Sequence, residues 1–103
     1  MDQNEAVEIG KKYISLLIKN NFEIKKAYLF GSYARGTFDE NSDIDLAVVL
    51  KDITNSFDVQ LHLMKLRRKI DTRIEPHPFN EADFDMSHPF ANEILHNGIQ
   101  IKL

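Results

Sequence analysis

Apolar positions recur along this chain with two different periods, and the points where the period changes mark out its elements. Val7, Gly10, Ile14, Leu17 and Asn21 fall at helical spacing, and Tyr13 and Leu16 widen the stripe. The spacing predicts an amphipathic helix over about residues 4–19, stopped by Asn20-Asn21. From Ile24 to Phe30 the run Ala27-Tyr28-Leu29-Phe30 ends abruptly at Gly31-Ser32, which reads as a buried strand entering a tight turn. Residues 35–42 are polar and carry the loop formers Gly36, Asp39, Glu40 and Asn41. A second buried strand then opens at Asp43 and runs through Ile44, Leu46, Ala47, Val48, Val49 and Leu50.

After a connector at 51–56, Val59, Leu63, Leu66 and Ile70 return at steps of four, three and four, so a second helix is predicted over about 57–69. Residues 71–79 read as a third strand. Thr72 and Ile74 alternate there with Asp71, Arg73, Glu75 and His77 until Pro76 and Pro78 close it. A helical turn at 80–83 follows, then a short helix with Phe90, Ile94 and Leu95 and with Gly98 as its C-cap. Ile99, Ile101 and Leu103 alternate as a terminal edge strand. This order of elements makes the chain an α+β (α/β-like) protein, a small mixed β-sheet flanked by helices.

A length of 103 residues is the usual size of one compact domain and leaves no room for a second, so 1–103 is read as a single unit. A chain this short buries a modest share of its surface, which favours a partner or a homo- or hetero-oligomer. Its longest apolar runs are far shorter than a membrane span, and its amino terminus is acidic where a signal peptide would be basic. No membrane association and a cytoplasmic location are therefore expected. The net charge of −3 argues against direct nucleic-acid binding, and the basic run of Lys65, Arg67, Arg68 and Lys69 reads as a solvated helix rim.

There is no cysteine, so any metal would be held by oxygen or histidine. His62, His88 and His96 lack zinc-site spacing, and the oxygen ligands stand out instead. In Asp43-Ile44-Asp45 a strand puts two carboxylates on one face while Ile44 and Leu46 point into the core. Two adjacent acids repel unless a cation lies between them. Mg²⁺ suits such a pair, because it takes one or two carboxylates and completes its shell with phosphate oxygens and water. A third acid on the neighbouring strand would allow two metal ions. Glu75 is preferred, beside Ile74 and near the end of the third strand; Asp71 is the alternative, equally able to cap the preceding helix or to pair with Arg73.

Gly31-Ser32 supplies the other half of a nucleotide site. Glycine lets a backbone approach a phosphate closely, and a helix starting at Ser32 would aim free N–H groups at it. Arg35, on the following turn, could reach a phosphate or pair with Asp39 or Glu40. Ser42 is expected to order the start of the strand. His77 shares a face with Glu75 and could touch phosphate or metal, but between two prolines it reads first as a structural turn residue; Phe79, Phe84 and Phe90 read as core.

The stretch Gly31-Ser32-Tyr33-Ala34-Arg35-Gly36, ten residues after Ser32 and then Asp43-Ile44-Asp45, resembles the signature of the DNA polymerase beta nucleotidyltransferase superfamily. Within that superfamily it is most similar to the minimal nucleotidyltransferase (MNT) family. The resemblance implies a polymerase-beta-type fold and a Mg²⁺-dependent transfer of AMP from ATP to a hydroxyl, with two ions. It assigns Gly31 and Ser32 to the triphosphate and Asp43, Asp45 and Glu75 to metal, although here Pro76 follows the third acid. It also implies a HEPN-domain partner, since similar proteins include antitoxins that adenylylate a tyrosine of a HEPN-type RNase toxin. The competing class is a non-catalytic module that neutralises such a partner by contact alone. Transfer to a small molecule is a third reading, but relatives of that kind carry extra substrate-binding domains.

Overall fold

The computed structural model describes all 103 residues. Helix α1 (Gln3–Lys19) leads into strand β1 (Ile24–Phe30), a single helical turn α2 (Ser32–Arg35), strand β2 (Ile44–Leu50), helix α3 (Ser56–Leu66), strand β3 (Ile74–Asn80), helix α4 (Pro89–Asn97) and the short strand β4 (Ile99–Gln100). The four strands form one mixed sheet in the order β3-β2-β1-β4. Strands β2 and β3 are parallel, while β1 is antiparallel to both β2 and β4. The expected α+β architecture is present. No helix is long and apolar enough to cross a membrane.

The pleat sends alternate residues of the central strands into two separate cores. Ile44, Leu46, Val48 and Leu50 of β2 join Ala27 and Leu29 of β1 under α1 and α3. Ala47 and Val49 face the other way and pack with Tyr28, Phe84, Ala91 and Ile94, so the second face is covered by α4 and the segment before it. Helix α1 starts at Asp2, whose side chain accepts from the Glu5 N–H, and buries Ala6, Tyr13, Ile14 and Leu17 on one stripe. The Tyr13 hydroxyl donates to the Leu63 carbonyl at 2.7 Å and ties α1 to α3 inside the core. Burial pushes this phenol well above its ordinary pKa, while the nearby Arg67 charge acts weakly in the opposite direction. Tyr13→Phe is expected to cost about 1 kcal/mol of stability, the worth of one buried neutral hydrogen bond, read by urea denaturation.

Four sequence expectations are corrected here. The third strand begins at Ile74, not at residue 71, because Asp71 to Arg73 form a local turn in which the Asp71 carboxylate accepts from the Arg73 backbone N–H and guanidinium. The prolines do not close it either, and β3 continues to Asn80. The Ile44 N–H bonds the Arg73 carbonyl at 2.9 Å, so by alternation the N atoms of residues 74, 76 and 78 point away from β2. Pro76 and Pro78 thus fall where an edge strand needs no ladder donor. The outward carbonyls of Ile74 and Pro76 are taken by Arg67 and Gln60 of the preceding helical segment, which makes Arg67 a strap between elements and not part of a solvated rim. The terminal strand is shorter than expected, two residues paired with Tyr28 and Leu29 of β1. Gly98 does cap α4, bonding the Ile94 carbonyl at 2.8 Å, but in an extended and not a left-handed conformation.

Candidate active site

The candidate residues meet at one end of the sheet, across three adjacent strands. Because β1 runs against β2 and β3, the close of β1 and the starts of the other two lie side by side. Phe30 is paired with Asp45, and Asp45 with Glu75. Gly31 follows directly on β1, Asp43 precedes β2 by one residue, and Glu75 is the second residue of β3. Glu75 is therefore near the beginning of its strand and not its end; the register, not the strand terminus, brings it beside Asp45. Asp71 lies outside the strand, and its hydrogen bonds to Arg73 hold its carboxyl below the usual carboxylate range. The carboxylate that β3 presents next to Asp45 is Glu75.

Gly31 adopts φ +75° and ψ −151°, a backbone region open to glycine alone among ordinary residues. A β-carbon at this position would collide with Oδ2 of Asp45, so the glycine is what lets the acid lie against the turn. The turn that follows is pinned from below. Tyr33 is fully buried and stacks on Phe38 with ring centroids 4.6 Å apart. Gln3 of α1 donates to the Tyr33 carbonyl at 2.9 Å. The opening N–H groups of a helical turn have no partner within it, and here they begin beside Asp45. Ser42 orders the approach to β2 as expected, with its hydroxyl accepting from the Asp39 N–H at 2.9 Å.

Arg35 pairs with neither Asp39 nor Glu40. It lines a cavity of about 290 Å³ together with Gly31, Asp45 and the α4 residues Phe90, Glu93 and Asn97, close to the lower size of small-molecule pockets. A wider hollow of about 550 Å³ opens on the other side, over β3, with Glu75, His77, Phe79, Phe57 and Phe90 among its walls. Phe90 forms a ridge between the two. It is 41% exposed and not a core residue as its sequence implied, whereas Phe84 is buried.

His77 is likewise not a turn residue. It lies within β3 on the face of Glu75, with Nε2 3.3 Å from Oδ1 of Asp45. Helix α4 is the part of the site that sequence reasoning missed, while for His77 the turn reading gives way to the alternative, a place on the face of Glu75. That shared face has a local cause: Glu75 and His77 each precede a proline, which restricts both to extended backbone and sets both side chains on one face.

No three His, Asp or Glu side chains converge into a ready ion cage. The donor set nonetheless fits Mg²⁺: paired carboxylates on neighbouring strands, no sulfur, and a glycine cradle that a side chain would fill. A hard cation that takes one or two carboxylates and draws its other ligands from phosphate and water needs no more from the protein.

Compared with known proteins, the chain matches the family model described as polymerase beta, nucleotidyltransferase over residues 11–102. A Methanocaldococcus jannaschii protein assigned as a protein adenylyltransferase is 29% identical over 104 residues, covering 98% of this chain and 100% of that one. The protein adenylyltransferase MntA of Shewanella oneidensis is 38% identical over 64 residues, 62% of this chain and 46% of that one. Among solved structures, a toxin-antitoxin crystallised with AMP-PNP matches at a TM-score of 0.67 and 28% identity, covering 91% of this chain and 72% of that chain.

Proposed function

Since the chain belongs to the polymerase beta nucleotidyltransferase family, and is thereby a nucleotidyltransferase, we propose that it moves AMP from ATP onto a hydroxyl of a partner protein. The partner we propose is the toxin of a toxin-antitoxin pair, of HEPN type, with a tyrosine as acceptor and the cytoplasm as the setting. The relatives named as protein adenylyltransferases and the toxin-antitoxin structure with AMP-PNP support adenylyl transfer and a toxin as partner; the HEPN type, the tyrosine and the cytoplasm rest on the family resemblance of the sequence. The observation that carries the reading is the register that sets Asp45 beside Glu75 on the neighbouring strand and against the Gly31 turn at the end of β1.

Asp43, Asp45 and Glu75 would hold Mg²⁺, two ions in the full arrangement. When bound, the metal supplies positive charge to the phosphate oxygens and polarises the acceptor hydroxyl. Gly31 and Ser32 receive the triphosphate through close backbone approach and the serine hydroxyl. Arg35, engaged in no salt bridge, neutralises charge growing on the leaving pyrophosphate. Glu75 takes the proton of the acceptor hydroxyl; the acceptor oxygen bonds the α-phosphorus as the bond to the bridging oxygen breaks, and pyrophosphate leaves.

The test is incubation of the chain and a candidate HEPN-type toxin partner with Mg²⁺ and ATP labelled at either the α- or the γ-phosphate. Label from the α position alone, fixed to the partner, is the expected result. Label from the γ position, or no label with partner inhibition intact, would overturn it. In the same assay Glu75→Gln should lower the rate about 10²-fold, at the low end for loss of a general base. Asp71→Asn, which removes only the pairing with Arg73, should leave the rate within about twofold.

A further inference from the structure

We infer that His77 is a positioning residue for the Asp45 carboxylate: its Nε2 holds Oδ1 so that Oδ2 stays turned to the Gly31 cradle. The inference rests on the metal-dependent reading above.

A partly exposed aspartate ordinarily samples several rotamers, and each must be given up when a cation binds. Here the carboxylate is divided between two neighbours. Oδ1 stands 3.3 Å from His77 Nε2, and Oδ2 lies where a Gly31 side chain would be. The imidazole is itself held. Pro76 and Pro78 stiffen the backbone on either side of it. Its ring packs edge-on to Phe30 of β1 at 4.9 Å and 67°, and to Phe90 of α4 at 6.1 Å and 80°. Across the ladder its partner is Ala47, whose methyl leaves room for the ring to lean along the sheet towards Asp45. The side chain is 29% exposed and that of Asp45 24%, so the contact is partly shielded from water. A carboxylate that ligates a metal is commonly fixed by such an outer hydrogen bond, and its loss typically lowers metal affinity about 10- to 100-fold.

The test uses Mn²⁺ as the probe and no nucleotide, with free ion followed by electron paramagnetic resonance. His77→Phe keeps the ring between Phe30 and Phe90 and removes the nitrogen; His77→Gln returns an amide N–H near the place of Nε2. The expected result is an Asp45-dependent Mn²⁺ affinity about 10- to 100-fold weaker in His77→Phe and largely recovered in His77→Gln, with both melting temperatures near wild type. Spin-echo spectra of the wild type should show no nitrogen bound directly to Mn²⁺.

Unchanged affinity in His77→Phe would overturn the positioning role and leave the metal reading standing. So would a directly bound imidazole nitrogen, or equal weakening in both variants. Mn²⁺ binding that survives Asp45→Asn would instead overturn the metal reading, and the role of His77 with it.

Discussion

Asp45→Asn should reduce AMP transfer by about 10³-fold or more while leaving the protein folded. The substitution keeps the shape of the side chain and removes one negative charge. The side chain is 24% exposed and its hydrogen bond is to His77, so an amide in its place disturbs little packing, and stability should change by about 0.5 kcal/mol or less. The catalytic loss is of another order. A carboxylate that anchors a divalent cation contributes through several kcal/mol of charge stabilisation at the phosphate, and about 4 kcal/mol corresponds to a thousandfold in rate.

Asp43→Asn should do the same from a more exposed position, and the double variant should be scarcely slower than either single one, because groups that act as one unit do not add. Single-turnover transfer from α-labelled ATP measures the rate, and circular dichroism the fold. Transfer within tenfold of wild type in the folded single variants would remove these aspartates from the mechanism. A protein that inhibits its partner by contact alone predicts unchanged inhibition in all three.

The most legible part of the molecule was the part where local chemistry and tertiary role coincide. Gly31-Ser32 and Asp43-Ile44-Asp45 are short, and the alternation around Ile44 and Leu46 already fixes which way the acids point, so the structure needed only to bring them together. What could not be read was register. Asp71 and Glu75 lie on the same alternating stretch, and nothing local distinguishes a strand residue from one in the preceding turn. The Asp71 to Arg73 hydrogen bonds and the parallel pairing of Ile44 with Ile74 decide it.

The prolines misled for a related reason. In isolation Pro76-His77-Pro78 reads as the end of a strand, but at the sheet's edge, with both nitrogens facing outward, it is a stiffened strand. Helix α4 was visible as a helix, yet its exposed Phe90 could be placed between two hollows only once the sheet order put α4 over the open face of β1 and β2.

Gly31→Ala should damage both stability and catalysis, and the two effects have one physical origin. Backbone at φ +75° and ψ −151° costs a non-glycine residue about 1 to 3 kcal/mol, and the new methyl also meets Oδ2 of Asp45. Either the turn or the carboxylate must move, and each is required at the phosphate cradle. We expect unfolding free energy to fall by about 1 to 3 kcal/mol. Transfer should fall by about 10²- to 10³-fold under conditions where the variant is still folded, as for loss of a preorganised contact to developing charge.

Gly36 provides the contrast. It also has positive φ, +77° with ψ 16°, but no atom lies within 4 Å of its absent β-carbon. Gly36→Ala should therefore cost only about 1 to 2 kcal/mol in stability and leave transfer intact. A double-mutant cycle isolates the collision itself. In an Asp45→Ala background the carboxylate is gone, and the cost of Gly31→Ala should shrink by about 0.5 kcal/mol or more, the usual size of coupling between residues in contact. Equal costs in both backgrounds would mean that backbone strain alone makes Gly31 necessary, and that the acid does not lean on the turn.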